Sequence, residues 1–223
     1  MGFQRARSDE QREQRRRSII EMATTMVAEM PVAEISLNEL SRRVGLAKSN
    51  VLRYFESREA VLLELLDAEL TAWVADLDSA LLPVEGDLTR RIAATAEAIA
   101  ESVATKPTMC DLIHAQAPVL ERNVSTQVVL AHKYAVKRQV DLLVESIQKA
   151  VPELSEWQAY QVVAHTIFMI AGAWPQAVPP PALQAAYDTD PAVAGAQMDF
   201  RTLIRDTAAL IMTGLLSGTS AAE

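Results

Sequence analysis

The chain has a single cysteine, Cys110, among its 223 residues, so no disulfide joins two parts of it. Seven glycines are too few and too scattered for a glycine-rich loop that cradles phosphate. Three histidines, His114, His132 and His165, fall in three separate predicted helices with no nucleophile motif. Acid–base catalysis needs titratable groups that converge in a cleft, so the expectation is a protein that is not an enzyme and carries no cofactor. No apolar run reaches about 18 residues without a charge or a breaker, and the Arg-rich N-terminus lacks the apolar core of a signal peptide. A cytoplasmic protein without a membrane partner is expected. Period-two alternation of β-branched residues is scarce as well. Ala, Leu, Glu, Gln and Met dominate instead, and half of the residues are apolar, which predicts an all-α fold with a sizeable core.

The net charge of −8 is unevenly divided. Residues 1–60 hold eleven Lys or Arg and nine Asp or Glu, a net +2, whereas residues 61–223 hold ten and twenty, a net −10. Such asymmetry points to nucleic acid as the partner of the basic part, with the acidic remainder orienting the molecule on the phosphate backbone. Arg5, Arg7, Arg12, Arg15, Arg16 and Arg17 form a basic arm. Residues 1–11 are expected to be unstructured, and the arm reads either as a phosphate or minor-groove contact or as a solvated, frayed terminus. A helix is predicted over 12–30. Its stripe of Ile19, Ile20, Ala23, Met26, Val27 and Met30 closes a small core before Pro31.

The most informative stretch is 36–59. Ser36 is a good N-cap, and Glu39 three residues on completes a capping box. Ile35, Leu37, Leu40 and Val44 supply the apolar side of a helix over 37–44, and Gly45 suits the left-handed residue that ends it. A second helix is predicted over 47–53, with Val51, Leu52 and Phe55 inward and Lys48, Ser49, Asn50 and Arg53 outward. In a helix-turn-helix those outward positions reach base edges in the major groove. Asn pairs bidentately with adenine, Lys donates to guanine, and Ser serves either.

The run Gly45-Leu46-Ala47-Lys48-Ser49-Asn50-Val51-Leu52-Arg53-Tyr54-Phe55-Glu56-Ser57-Arg58-Glu59 resembles the DNA-binding domain of the TetR (tetracycline-repressor-like) family, over roughly residues 12–65. The resemblance implies an N-terminal three-helix helix-turn-helix domain at 1–56. A long helix would join it to a C-terminal helical ligand-binding and dimerisation domain at 57–223. It also implies that Ser36, Asn38, Lys48, Ser49, Asn50, Arg53, Tyr54 and Arg58 face double-stranded DNA, with Tyr54 and Arg58 at phosphate-contacting positions. Two residues depart from the family pattern. Ala47 stands where Ser or Thr usually caps the recognition helix, and Leu52 replaces a Tyr that often touches phosphate. Arg53, beside the missing Tyr, either restores a phosphate contact or reads a base.

Further along, a helical rod is predicted from Ser57 to Leu82, then a loop at Pro83-Val84-Glu85-Gly86. Helices are expected over 87–105, 107–120 with a kink near Pro118, 123–150, 155–174 and 195–217. The Pro-rich stretch 175–191 leaves room for a turn of helix at 182–187, and the tail from Gly218 is expected to be unstructured.

By the same resemblance, the helices over 155–174 and 195–217 pair with their copies in a homodimer, with Met169, Ala173, Ile204, Ala208, Ile211 and Leu215 as interface candidates. A small apolar or aromatic effector is expected among the helices of the second domain. Its candidate walls are Trp73, Met109, Cys110, Ile113, His114, Phe168, Met169 and Trp174. Cys110 and His114 share a helix face and would ligate a metal only with a third donor. The resulting expectation is a homodimeric repressor released from a palindromic operator by a small molecule. The rival readings are a helical DNA-binding structural protein without effector and a metal-responsive regulator acting through Cys110 and His114.

Overall fold

The computed structural model describes residues 2–81, 86–195 and 197–219, and among these every regular element is helical. Helix α1 spans Gly2–Glu29. It begins ten residues before the predicted start, because Arg, Gln and Glu are good helix formers and no proline interrupts them. The side chains of Arg5 and Arg7 lie outside the described residues. Pro31 stops α1, and a single 3-10 turn, Val32–Glu34, follows.

Helix α2, Leu37–Val44, is capped by Ser36, whose hydroxyl accepts from the Glu39 N–H at 3.1 Å. Only half of the predicted capping box forms. The Glu39 carboxylate turns instead to Arg42 and Arg43, at 2.6 and 2.8 Å. Their hydrogen bonds, Arg42 first and Arg43 second, hold it at a pKa of about 2. Gly45 sits at φ 73°, and its N–H and that of Leu46 close the helix on Arg42 O and Ser41 O. A side chain at that φ costs about 1–2 kcal/mol. Helix α3, Lys48–Val51, is shorter than predicted, and Ala47 gives it no side-chain cap. Tighter turns carry the chain on, with Arg53 N–H on Asn50 O at 3.2 Å and Tyr54 N–H on Val51 O at 2.9 Å.

Helix α4, Arg58–Ala80, starts on the Ser57 cap and buries Val61, Leu62, Leu65, Leu66, Leu70 and Trp73. Helices α5 (Leu88–Ala104), α6 (Pro107–Ala115) and α7 (Thr126–Ala150) all pack against it, as does α1. Residues 82–85, most of the predicted loop, lie outside the described residues. The predicted kink at Pro118 is a π turn over Gln116–Leu120, closed by Glu121 N–H on Gln116 O at 3.1 Å. Proline has no N–H to donate, so the wider turn absorbs the missing bond.

Helix α8, Glu156–Ala177, carries a complete capping box between Ser155 and Gln158. It does not end at Trp174 as predicted but runs through Pro175. A proline there leaves the carbonyl four residues back, that of Ala171, without its helical donor. His114 of α6 supplies one, with Nδ1 at 2.9 Å from Ala171 O. Two short helices, α9 (Pro181–Thr189) and α10 (Pro191–Ala194), begin on prolines, where the missing N–H is harmless. Helix α11, Phe200–Thr219, lies against α5 and α8. It takes in Gly218 and Thr219 of the predicted tail, whose last residues, 220–223, lie outside the description. No single helix among the described residues is long and apolar enough to cross a membrane.

Candidate nucleic-acid interface and effector domain

The α2–Gly45–α3 unit presents one solvent-facing edge. Ser36, Asn38, Lys48, Ser49, Asn50 and Arg53 are all exposed on it, while Leu40, Val51 and Phe55 are buried behind. Leu52, at 43% exposure, sits among the outward residues rather than inward as the periodicity predicts. Its N–H still bonds Lys48 O at 3.0 Å, so helical spacing sets it beside exposed Lys48 and Ser49. Arg53 and half-buried Tyr54 line an open groove of about 660 Å³ with Gln11, Arg12, Arg15 and Ser18 of α1. This basic trough beside the recognition helix has the chemistry of a phosphate track.

Two arginines expected at the phosphates are committed inside the protein. Arg16 donates to Tyr54 O at 2.7 Å, pairs with Glu64, and lies 4.4 Å above the Phe55 ring. Burial raises the Glu64 pKa in spite of that pairing. Arg58 donates to Ile35 O, to Ala33 O at 3.3 Å, and to Glu59 Oε1 at 2.9 Å. Glu59 is itself buried and accepts from Asn123 at 3.3 Å. Both guanidiniums therefore act as internal staples. They were not separable from the surface arginines by sequence, because Arg15, Arg16 and Arg17 are adjacent and only packing decides which one turns inward.

The 3-10 turn is gripped from a second side. Val32 N–H donates to Asp111 Oδ2 of α6 at 3.0 Å. Glu56, after the recognition helix, accepts from Ser125 N–H at the start of α7. The DNA-facing unit is thus bonded to α6 and α7 as well as to α4. Between the end of α1 and the α6–α8 corner lies an open, largely apolar cleft of about 590 Å³, with His114 and Trp174 on its wall.

The model for the tetracyclin repressor-like C-terminal domain matches residues 67–219. The chain belongs to the tetracyclin repressor-like (TetR) family. Solved TetR-type structures share the all-α fold. One is the fatty acid degradation regulator FadR of Bacillus halodurans: 15% identity, TM-score 0.56, 89% of this chain and 98% of that one. A second is a TetR transcriptional regulator of Rhodococcus sp. RHA1, with 14% identity, TM-score 0.55 and coverage of 91% and 97%. A third is FadR of Bacillus subtilis in complex with stearoyl-CoA, with 13% identity, TM-score 0.56 and coverage of 88% and 97%. No curated protein matches the chain in sequence. As a TetR-family protein it is a helix-turn-helix, ligand-binding transcription regulator.

In this TetR-family chain the predicted effector residues separate into three places. Trp73, Met109, Cys110 and Ile113 are packed in the core, with the Trp73 indole N–H on Ser102 Oγ at 2.9 Å. His114 and Trp174 line the junction cleft, and half-buried Met169 packs against the core. Phe168 is 75% exposed and lines no interior wall. It shares its helix face with exposed Trp157 and Tyr160, about two to three turns away, whereas Val162, Thr166, Ile170 and Ala173 face inward.

The predicted interface set divides as well. Ala173, Ile204 and Ala208 are buried within the chain, and Ile211 and Leu215 are half-buried. The apolar side chain that α11 turns outward is Leu210, at 72% exposure. Helical spacing identifies an apolar stripe but does not say which of two stripes meets the chain's own core. Here α5 claims the stronger one.

Cys110 and His114 do not converge on a metal. Among the described residues no group of three or more His, Cys, Asp or Glu stands close enough to hold one. Burial, and secondarily the Asp111 charge, pushes the Cys110 thiol up to about 12, and it points to Val103 O at 3.7 Å. Cys110 is expected to resist a thiol reagent at pH 8 in the native protein and to react at once in denaturant. Rapid native labelling, read by absorbance, would show that α6 opens.

Proposed function

We propose that the protein is a homodimeric repressor that occludes a palindromic operator and is released by a small apolar ligand. The carrying observation is the exposed Lys48–Ser49–Asn50 edge, held rigid from behind by buried Val51 and Phe55. A single α3 spans too few bases for useful specificity; two copies read half-sites about 34–36 Å apart. The outward strips of α8 and α11, with Phe168 and Leu210, are the surface for the second copy. Repression requires only that the dimer block the promoter. Bonds from α6 and α7 to the DNA-facing unit give the ligand domain its hold on the recognition helices.

Selection of bound duplexes from a random pool tests the reading, with a twofold-symmetric consensus as the expected result. Asn50→Ala should then lose preference at one base pair per half-site, about 1–3 kcal/mol against that base. A loss that is equal for every sequence would remove Asn50 from the reading set.

A further inference from the structure

The junction cleft borders both the approach to the DNA-facing unit and the α6–α8 corner. One wall, Met30 and Pro31, follows directly on α1; the other, Pro118, Val119 and Trp174, belongs to the π turn and α8. Its volume of about 590 Å³ lies within the range for drug-sized molecules. The polar groups among its walls are unlike those of a site for an acid. No Lys or Arg lines it. Asp111 uses one carboxylate oxygen on Val32 N–H. His114 Nδ1 faces the Ala171 carbonyl, an acceptor, so the ring hydrogen sits on Nδ1 and Nε2 remains an acceptor in the neutral ring. Glu29, at the rim, is already paired with Arg43.

We infer that this cleft is the effector site and that it takes a hydrophobic organic cation. The inference rests on the regulator reading above and names the ligand's place and chemistry within it. Apolar walls bury the body of the molecule, the Trp174 indole among them adds an aromatic surface that suits positive charge, and the Asp111 carboxylate supplies the counter-charge. Occupancy competes with the Asp111–Val32 bond and parts α1 from the π turn. The 3-10 turn just ahead of α2 then loses one of its two holds, and the recognition helices shift.

Calorimetric titration of the full-length protein with tetraphenylphosphonium and tetraphenylborate, ions alike in shape and opposite in charge, tests the assignment. The cation is expected to bind at least about tenfold more tightly than the anion, the order of the Coulomb preference that one nearby carboxylate gives in a partly solvated site. Asp111→Asn keeps an oxygen for Val32 N–H, so the fold should persist while the preference for the cation disappears. Val119→Trp, which fills the cleft without touching a charge, should abolish binding of both ions. Equal affinity for the two ions, undiminished preference in Asp111→Asn, or undiminished binding in Val119→Trp overturns the proposal. So does an operator affinity that saturating tetraphenylphosphonium leaves unchanged. Failure of the regulator reading is seen separately: duplex selection without any ligand then yields no preferred sequence, whatever the cleft binds.

Discussion

A protein carrying Phe168→Glu together with Leu210→Glu will sediment as a folded monomer and will lose its operator. Both side chains are apolar and largely in solvent, at 75% and 72% exposure, so the monomer's own packing does not depend on them. Burying such side chains at an interface stabilises a dimer by about 1.5–3 kcal/mol each, and a carboxylate in their place must be desolvated without a partner. With two copies the effect doubles, because a twofold interface repeats each residue. Once the copies separate, each recognition helix binds alone, and operator affinity falls by roughly 1,000-fold, toward the non-specific level. Sedimentation, circular dichroism and operator titration measure the three parts independently. A double variant that still sediments as a dimer would move the interface off α8 and α11.

Arg58→Ala will weaken operator binding without changing how that binding depends on salt. A phosphate contact, when removed, lowers the slope of log affinity against log salt by about 0.9. Arg58 is instead turned inward to Ile35 O, Ala33 O and Glu59. Its removal takes the guanidinium from the carbonyls at the entrance to α2 and leaves the buried Glu59 without its counter-charge, with only neutral donors, its own backbone N–H and Asn123. The expected destabilisation is about 2–3 kcal/mol, below the figure for a fully buried pair because the guanidinium is partly solvated. Arg58→Lys should recover little of it, since one ammonium cannot span the two carbonyls and the carboxylate.

The pH dependence has a definite sign. Burial pushes the Glu59 pKa up, but the hydrogen bonds from Arg58, from its own backbone N–H and from Asn123 more than offset it and leave it below the ordinary carboxylate value. A depressed carboxylate contributes stability above its unfolded pKa and loses it as pH falls through the folded one. Arg58→Ala removes that acid-labile share, so the gap between wild type and variant in urea melts should narrow below about pH 4.5. A reduced salt slope in the variant would return Arg58 to the DNA.

What could be read from the chain itself was whatever depends on neighbours in sequence. The Ser36 cap, the Gly45 turn, the α1 stripe and the starts of α5 and α8 follow from spacing and local hydrogen bonding, and so did the family resemblance that residues 67–219 support. Helix ends were less legible where a distant residue intervenes: α8 passes Pro175 because His114, 57 positions away, satisfies Ala171 O.

Tertiary structure alone decided which member of a chemically uniform set does what. Arg15 lines the open groove while Arg16 staples Tyr54 and Glu64, although the two are adjacent. Phe168 faces outward while Ala173 faces inward. Local sequence sets the helical period and hence which residues share a face. The direction that face takes is set by the elements that pack on it from far along the chain, and a one-dimensional pattern holds no term for that.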